Sequence, residues 1–327
     1  MHIAVVWNGR AGSAAGLAIE DVTSRLRGDG GHEVTVFEVS EDRSPTVCTR
    51  DAVASGATVV VAAGGDGTVS SVASALVGGT TKLAVLPLGT ANSFAAALGI
   101  PADLDEAIAL VTSDQRCTID AAMVRGPAGE RAMILHCMIG IHADTVGETT
   151  TEAKQRWGVL AYAGSALRQL AKLEGFSVEL QTTDHVIRCR AIAVGVANLA
   201  PPHCVLAHGP SHLLGDDGRV DVTIVAAETI AEAIATGIHL YRSAREGAPA
   251  SRDNVGSFST ARVAITAEPT QRVLIDGEPF GDTPVTIETM PGALTVVAPP
   301  AAVADGPMVE APLYGLPELE IDGQAVG

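Results

Sequence analysis

The sequence predicts an α/β first domain built on a parallel sheet, followed by a mostly antiparallel β-sandwich. Two observations carry this. Residues 1 to about 122 alternate strand and helix patterns, and beyond them the apolar period shortens to the two-residue alternation of half-buried strands. Ile3–Trp7 opens as a strand, Ala14–Leu26 reads as a helix ended by Gly28–Gly31, Val34–Val39 as a strand and Val47–Ser55 as a helix. Two strand–glycine–helix units follow, at Val59–Thr68 and Leu83–Asn92, and after the first of them Val69, Val72, Ala73, Leu76 and Val77 recur at helical spacing until Gly78-Gly79. Leu104–Val111 is a further helix with Asp103 as its cap. Such alternation favours parallel strands covered by helices on both faces.

In the second part, Phe176–Leu180, Val220–Ile224, Val263–Ile265 and Val273–Ile275 alternate as half-buried strands do, while the more continuously apolar Ile134–Ile141 suits a place between two layers. Helical stretches at Trp157–Leu173 and Thr229–Tyr241 interrupt them. The domains read as 1–122 and 123–282. Residues 300–327, rich in Pro and Ala with interspersed acids, read as a largely disordered tail.

Composition narrows the function classes. The chain has 327 residues, 47% hydrophobic and 18% charged, enough for two domains. A net charge of −17 opposes nucleic acid and broad docking on acidic lipid, leaving at most a local basic patch such as Arg156, Arg168 and Lys172. Aromatics at 3% are too few for base-stacking platforms. No apolar run reaches the roughly 18–20 residues of a membrane helix, and Met1–Trp7 reads as a first strand with neither basic region nor cleavage site. Five scattered cysteines (Cys48, Cys117, Cys137, Cys189, Cys204) fit reduced, mostly buried thiols in a cytoplasmic protein. His203, His208 and His212 share a loop but lack metal-ligand spacing.

The chemistry lies between Val59 and Leu98. Val59–Ala63 breaks into Gly64-Gly65-Asp66-Gly67-Thr68, and Leu83–Pro87 into Leu88-Gly89-Thr90-Ala91-Asn92. A strand, a tight glycine turn and a helix N-terminus make a concave array of N–H groups suited to phosphate, which a Cβ would obstruct. Asp66 would repel bare phosphate. It suits a magnesium ion, directly or through water, or an incoming hydroxyl.

This pair of motifs about twenty residues apart resembles the catalytic domain of the diacylglycerol kinase and sphingosine kinase superfamily, specifically its bacterial soluble lipid kinases. Asn8-Gly9-Arg10-Ala11-Gly12 resembles the family's Asn-Pro-x-x-Gly loop, with Gly9 where proline is usual. Gly158–Tyr162, Asp217–Asp221 and Ile275-Asp276-Gly277-Glu278 resemble three later motifs, so the likeness covers most of residues 1–298. It implies a two-domain kinase with ATP in the cleft and the final strands, at Val285–Ile287 and Leu294–Val297 within about 283–298, returning to the first domain.

Phosphoryl transfer needs phosphate positioning, a divalent metal to spread charge and a base near the acceptor hydroxyl. The first task falls to the backbone of Asn8, Gly9, Arg10, Ala11 and Gly12 and of Gly64, Gly65, Asp66, Gly67, Thr68, Val69 and Ser70, with the hydroxyls of Thr68 and Thr90. The resemblance adds Ser40 as a nucleotide contact, Glu278 as general base and Asp66 and Asp120 as acids around metal and acceptor. It also implies a structural Mg2+ at Asp217, completed by the carbonyls of Leu214 and Arg219. Ser93 stands where relatives commonly carry an aspartate, so a negative charge is missing beside the nucleotide metal.

The activity implied is ATP-dependent phosphorylation of a hydroxyl of diacylglycerol or a similar lipid, in an enzyme that meets its substrate at the membrane surface with peripheral contact at most. Oligomeric state, including a homodimer, stays open. Alternatives are a kinase of a soluble or unusual acceptor on the same fold, and a catalytically weakened nucleotide- or lipid-binding protein. An NAD kinase fits less well, because Pro87–Asn92 and Asp276–Glu278 suit the lipid kinases better.

Overall fold

The apolar runs of the early strands are buried on both faces, as parallel strands under helices must be. In the computed structural model the described residues are 1–12, 14, 16–28, 30–113, 115–140, 175–200, 215–246, 252–299 and 313–326. The expected helix at Trp157–Leu173, the Gly158–Tyr162 motif, the basic residues Arg156, Arg168 and Lys172, the three-histidine loop and Leu214 lie outside them.

Strands β1 (His2–Trp7), β2 (Glu33–Glu38), β3 (Val59–Gly64) and β4 (Lys82–Pro87) pair in parallel in the order β2-β1-β3-β4. Helix α1 (Ile19–Arg27) packs with α5 (Leu104–Val111), and α2 (Pro45–Ala54) with α3 (Asp66–Leu76). The strand order and right-handed crossovers put the two pairs on opposite faces. Asp103 caps α5 by accepting the amides of Asp105 and Glu106. Helix α1 begins at Ile19 rather than at Ala14, because Gly16 has φ 102° and Ala18 is extended. A short helix, α4 (Ser93–Ala97), follows the second glycine turn.

The second lobe is a sandwich. One layer pairs β12 (Val255–Thr260), β11 (Val220–Val225), β10 (Ala193–Ala197), β7 (His136–Ile139), β14 (Arg272–Ile275) and β15 (Glu278–Asp282) in that order, all antiparallel. The facing layer contains β5 (Cys117–Gly126), β6 (Gly129–Met133), β8 (Phe176–Gln181), β9 (Val186–Ala191), β13 (Arg262–Glu268) and β16 (Val285–Val296). Helix α6 (Ile230–Glu246) clusters through Leu240 with Ala193, Val225 and Val255, at one end of β10, β11 and β12. Of the apolar run expected at Ile134–Ile141, Ile134 and Leu135 link β6 to β7, His136–Ile139 form β7, and Ile141 lies outside the described residues. Strand β11 is buried along its whole length rather than on one face, with Asp221 accepting the Ser259 hydroxyl.

The lobes share one sheet through β16. It pairs antiparallel with β13 and β5 and then parallel with β4 at Val296–Leu83, so the last strand of the sandwich completes the first domain. The two expected apolar runs are the two ends of this 12-residue strand, separated by an irregularity between Met290 and Leu294.

The tail reading requires correction. Residues 313–326 pack on the sandwich, with β17 (Glu320–Ile321) pairing with β9 and with β18 (Gln324–Ala325). Leu316 and Leu319 are buried, and a Cβ on Gly256 would lie 2.6 Å from Leu313 Cδ2. Five apolar side chains in fourteen residues, Leu313, Leu316, Leu319, Ile321 and Val326, anchor a segment whose overall composition looks unstructured.

Candidate active site

Three loops meet at the carboxyl ends of the parallel strands, where open α/β sheets bind ligands. After β1, the Asn8 amide donates to the Ala63 carbonyl of β3 and its side-chain nitrogen to the Thr68 hydroxyl at 2.8 Å. Trp7 underlies this loop, and a Cβ on Gly9 would lie 3.2 Å from its Nε1. Arg10 and Ala11 turn back over Asn8, with the Arg10 amide on Asn8 Oδ1 and the Ala11 amide on the Asn8 carbonyl. Gly12 comes beside Thr90, since a Cβ there would lie 3.6 Å from its hydroxyl.

The two glycine turns pack against each other through their backbones. A Cβ on Gly89 would lie 2.6 Å from the Gly65 Cα and 2.8 Å from Asn92 Oδ1, and one on Gly64 would lie 2.7 Å from Thr68 Cβ. Only glycine fits these positions. Asn92, at φ 50°, closes the second turn by accepting the Gly89 amide and donating to the Pro87 and Gly89 carbonyls. Asp66 then accepts the Ser93 amide at 2.6 Å, so the carboxylate of the first motif holds the helix that follows the second. Ser40 is exposed after β2, in a turn that exchanges backbone hydrogen bonds with Arg43. The neighbouring Glu41 reaches Arg10 at 3.5 Å and ties this turn to the first loop.

Glu278 enters from the other lobe. Asp276 and Gly277, at φ 51° and 84°, form the two-residue turn between β14 and β15, a geometry that Asp-Gly favours. Glu278 is therefore the first residue of β15. It is exposed, and a Cβ on Gly67 would lie 3.4 Å from its Oε1. A carboxylate from the sandwich thus overhangs the first glycine turn.

The side chain of Ser70, whose backbone alone is assigned to the glycine turn, has a partner in the other lobe. Its hydroxyl donates to Asp276 Oδ2 at 2.8 Å and so joins the lobes. Asp276 itself, which no sequence pattern marks for a task, is buried and accepts the amides of Ile134, Leu135 and His136 as well. The available signal was the small or polar series Gly67, Ser70 and Ser74 at helical spacing opposite the apolar face of α3. Ser74 also donates across the lobes, to the Ala132 carbonyl.

Asp120 has other partners than an acceptor hydroxyl. It is 2% exposed, and its two oxygens accept the amides of Gly218 at 2.6 Å and Gly292 at 2.7 Å. Gly292 lies in the irregular stretch of β16 opposite Asp120, so the carboxylate holds a bulge and the Asp217–Gly218 turn together. Asp217 accepts the Arg219 amide at 2.9 Å. Desolvation raises its carboxyl above the ordinary range, the Arg219 amide opposes this, and nearby Asp120 adds to it. Among the described residues no three or more His, Cys, Asp or Glu side chains gather to hold a metal.

A glycine-loop α/β lobe completed by a strand from a β-sandwich, with the sandwich supplying a carboxylate over the loop, defines a two-lobed kinase fold. Residues 2–124 match the family model "Diacylglycerol kinase catalytic domain", and residues 137–298 match "YegS C-terminal NAD kinase beta sandwich-like domain". "Probable lipid kinase YegS-like" of Pseudomonas syringae pv. syringae (strain B728a) is 32% identical over 278 residues, covering 82% of this chain and 82% of that one. A protein of the same description from Stenotrophomonas maltophilia (strain K279a) is 29% identical over 302 residues, or 90% and 95%. "Uncharacterized protein sll0036" of Synechocystis is 32% identical over 244 residues, which are 75% of this chain but only 55% of that protein. Two solved chains from Bacillus anthracis str. Sterne share the fold, at TM-scores of 0.71 and 0.66 and identities of 22% and 21%. Each alignment covers 92% of this chain, with 96% and 98% of the solved one, and the second solved chain is described as a diacylglycerol kinase. The chain belongs to the diacylglycerol kinase catalytic-domain family, with the YegS-like lipid kinases.

Proposed function

We propose that this protein is an ATP-dependent lipid kinase that phosphorylates a hydroxyl of diacylglycerol or a similar lipid, with Glu278 as general base. The observation that carries this is the exposed Glu278 carboxylate above Gly67, beside turns in which Gly64 and Gly89 leave no room for a Cβ. The N–H groups at the start of α3 face the nucleotide phosphates, and the Asn8–Gly12 loop and Thr90 close the cradle. Glu278 accepts the proton of the acceptor hydroxyl as its oxygen bonds to the γ-phosphorus, and the bond from that phosphorus to the ADP oxygen breaks.

The donor set near the cradle is oxygen-only, which fits Mg2+. This ion commonly takes one or two carboxylates and completes its shell with phosphates and water. Asp66 would hold it there, and the ion would supply positive charge to the transferring phosphoryl group. Asp217 and the Arg219 carbonyl suit a second, structural Mg2+ in that both offer oxygen ligands to a hard cation. We place the enzyme in the cytoplasm, meeting its lipid at the membrane surface by peripheral contact. Among the described residues no helix is long and apolar enough to cross a membrane.

The test is transfer of label from γ-labelled ATP into organic-extractable and water-soluble acceptor pools. Label in the lipid fraction that requires a divalent cation supports the proposal. Label confined to soluble acceptors assigns the fold to another substrate class, and ATP binding without transfer identifies a binding protein.

A further inference from the structure

We propose that Ser70 and Asp276 are positioning residues, whose hydrogen bond between α3 and the β14–β15 turn holds Glu278 over the glycine loop. The inference rests on the reading of Glu278 as the base. Asp276 accepts four hydrogen bonds, with Oδ1 taking the Leu135 and His136 amides and Oδ2 the Ile134 amide and the Ser70 hydroxyl. Three of the donors belong to the β6–β7 segment of the sandwich and fix the carboxylate there. The fourth is on the helix whose N-terminus forms the phosphate cradle. Only Gly277, at φ 84°, separates Asp276 from Glu278, so the turn is a short lever from the anchored carboxylate to the base. Ser70 is about one helical turn from Gly67, the residue beneath Glu278, and both face the second lobe. The hydroxyl therefore sets the height of the lever over the cradle.

Ser70→Ala removes one of the four donors and leaves the three amides, so the fold should persist. Misplacing a reacting group by about 1 Å can cost 10²-fold, and kcat should fall roughly 10–100-fold with KM for ATP changed less than about twofold. Ser70→Thr keeps the hydroxyl and should restore most of the rate. Ser74→Ala removes the neighbouring cross-lobe bond to Ala132 without touching the turn, and should leave kcat unchanged. Because Ser70 acts through Glu278, Ser70→Ala combined with Glu278→Gln should be no slower than Glu278→Gln alone.

Wild-type kcat in Ser70→Ala overturns the inference, as do losses that multiply in the double variant or an equal loss in Ser74→Ala. These results differ from failure of the functional reading, in which the wild type transfers no phosphate to lipid or Glu278→Gln keeps its turnover. Either of those outcomes sinks the positioning role with it.

Discussion

Glu278 and Asp120 carry the same chemical group in opposite circumstances. Asp120 is buried, and both its oxygens are taken by backbone amides of two turns. Glu278 is exposed at the head of a strand, above a glycine loop contributed by the other lobe. A buried carboxylate with both oxygens bonded to backbone amides holds turns together and is shielded from a substrate. One exposed above a glycine loop can be reached by a substrate. Asp66 lies between these extremes, accepting the Ser93 amide while remaining at the mouth of the cradle.

The largest effect should come from Glu278→Gln, which keeps size and removes basicity. General-base assistance is typically worth about 10²–10⁴-fold, so turnover should fall by that amount while ATP affinity stays nearly intact. Nucleotide titration alongside label transfer measures both. Near-normal turnover would move the base elsewhere, with Asp66 the first alternative.

Asp120→Ala should act on stability instead. It strands the Gly218 and Gly292 amides and should cost roughly 2–4 kcal/mol, read as a lower denaturant midpoint. Asp120→Asn sharpens the contrast. Wild-type stability with collapsed turnover would return Asp120 to the reacting groups and break the comparison.

Ser93→Asp should have a smaller effect, a several-fold lower magnesium requirement on the order of 1 kcal/mol or less, since it adds a carboxylate beside Asp66 at the proposed phosphate site. A magnesium titration of turnover checks it. An unchanged curve would place the position outside the metal's surroundings.

The smallest effect concerns an exposed carboxylate, Asp322, in the C-terminal segment. It accepts the Val186 amide and pairs with His185 at 2.9 Å. The hydrogen bond to Asp322 raises the His185 pKa above 6.5, and the Val186 amide followed by His185 lowers that of Asp322 below 3.8. The His185 contribution is complete below about 6.5 and fades as pH rises through its raised folded value. The Asp322 contribution is complete above about 3.8 and fades as pH falls through its lowered one. Protection of the Asp322 amide relative to its intrinsic exchange rate should therefore be greatest between these limits, with exchange at alkaline pH rising by more than the intrinsic rate does, and His185→Ala should remove the excess. A profile with the same excess in both proteins would show that the ion pair does not hold the segment.

Much of the α/β lobe was legible because its signals are local. A continuous apolar strand, a glycine turn and a 3.6-residue period each occupy adjacent residues, and Gly64–Thr68 and Gly89–Asn92 declare their turns without reference to the rest of the chain. The Asp276-Gly277 turn was legible for the same reason. Gly16 and its delay of α1 were not, since helical periodicity runs through Ala14 regardless of one glycine's φ. The ordered segment around Leu316 and Leu319 was hidden because composition averages over a window, whereas docking depends on a few side chains finding Gly256 and the β9 edge.

The sequence by itself determined the order of elements, the change of period, the two glycine turns and a set of acidic candidates, all fixed by covalent neighbours and backbone sterics. Only the tertiary structure decided which acids are consumed. Asp120 meets Gly292 across 172 positions, and Asp276 meets Ser70 across 206. Whether a carboxylate faces a cleft or buried amides depends on such long-range pairings, which arise when β16 joins the two lobes into one sheet and brings distant chain segments within hydrogen-bond reach.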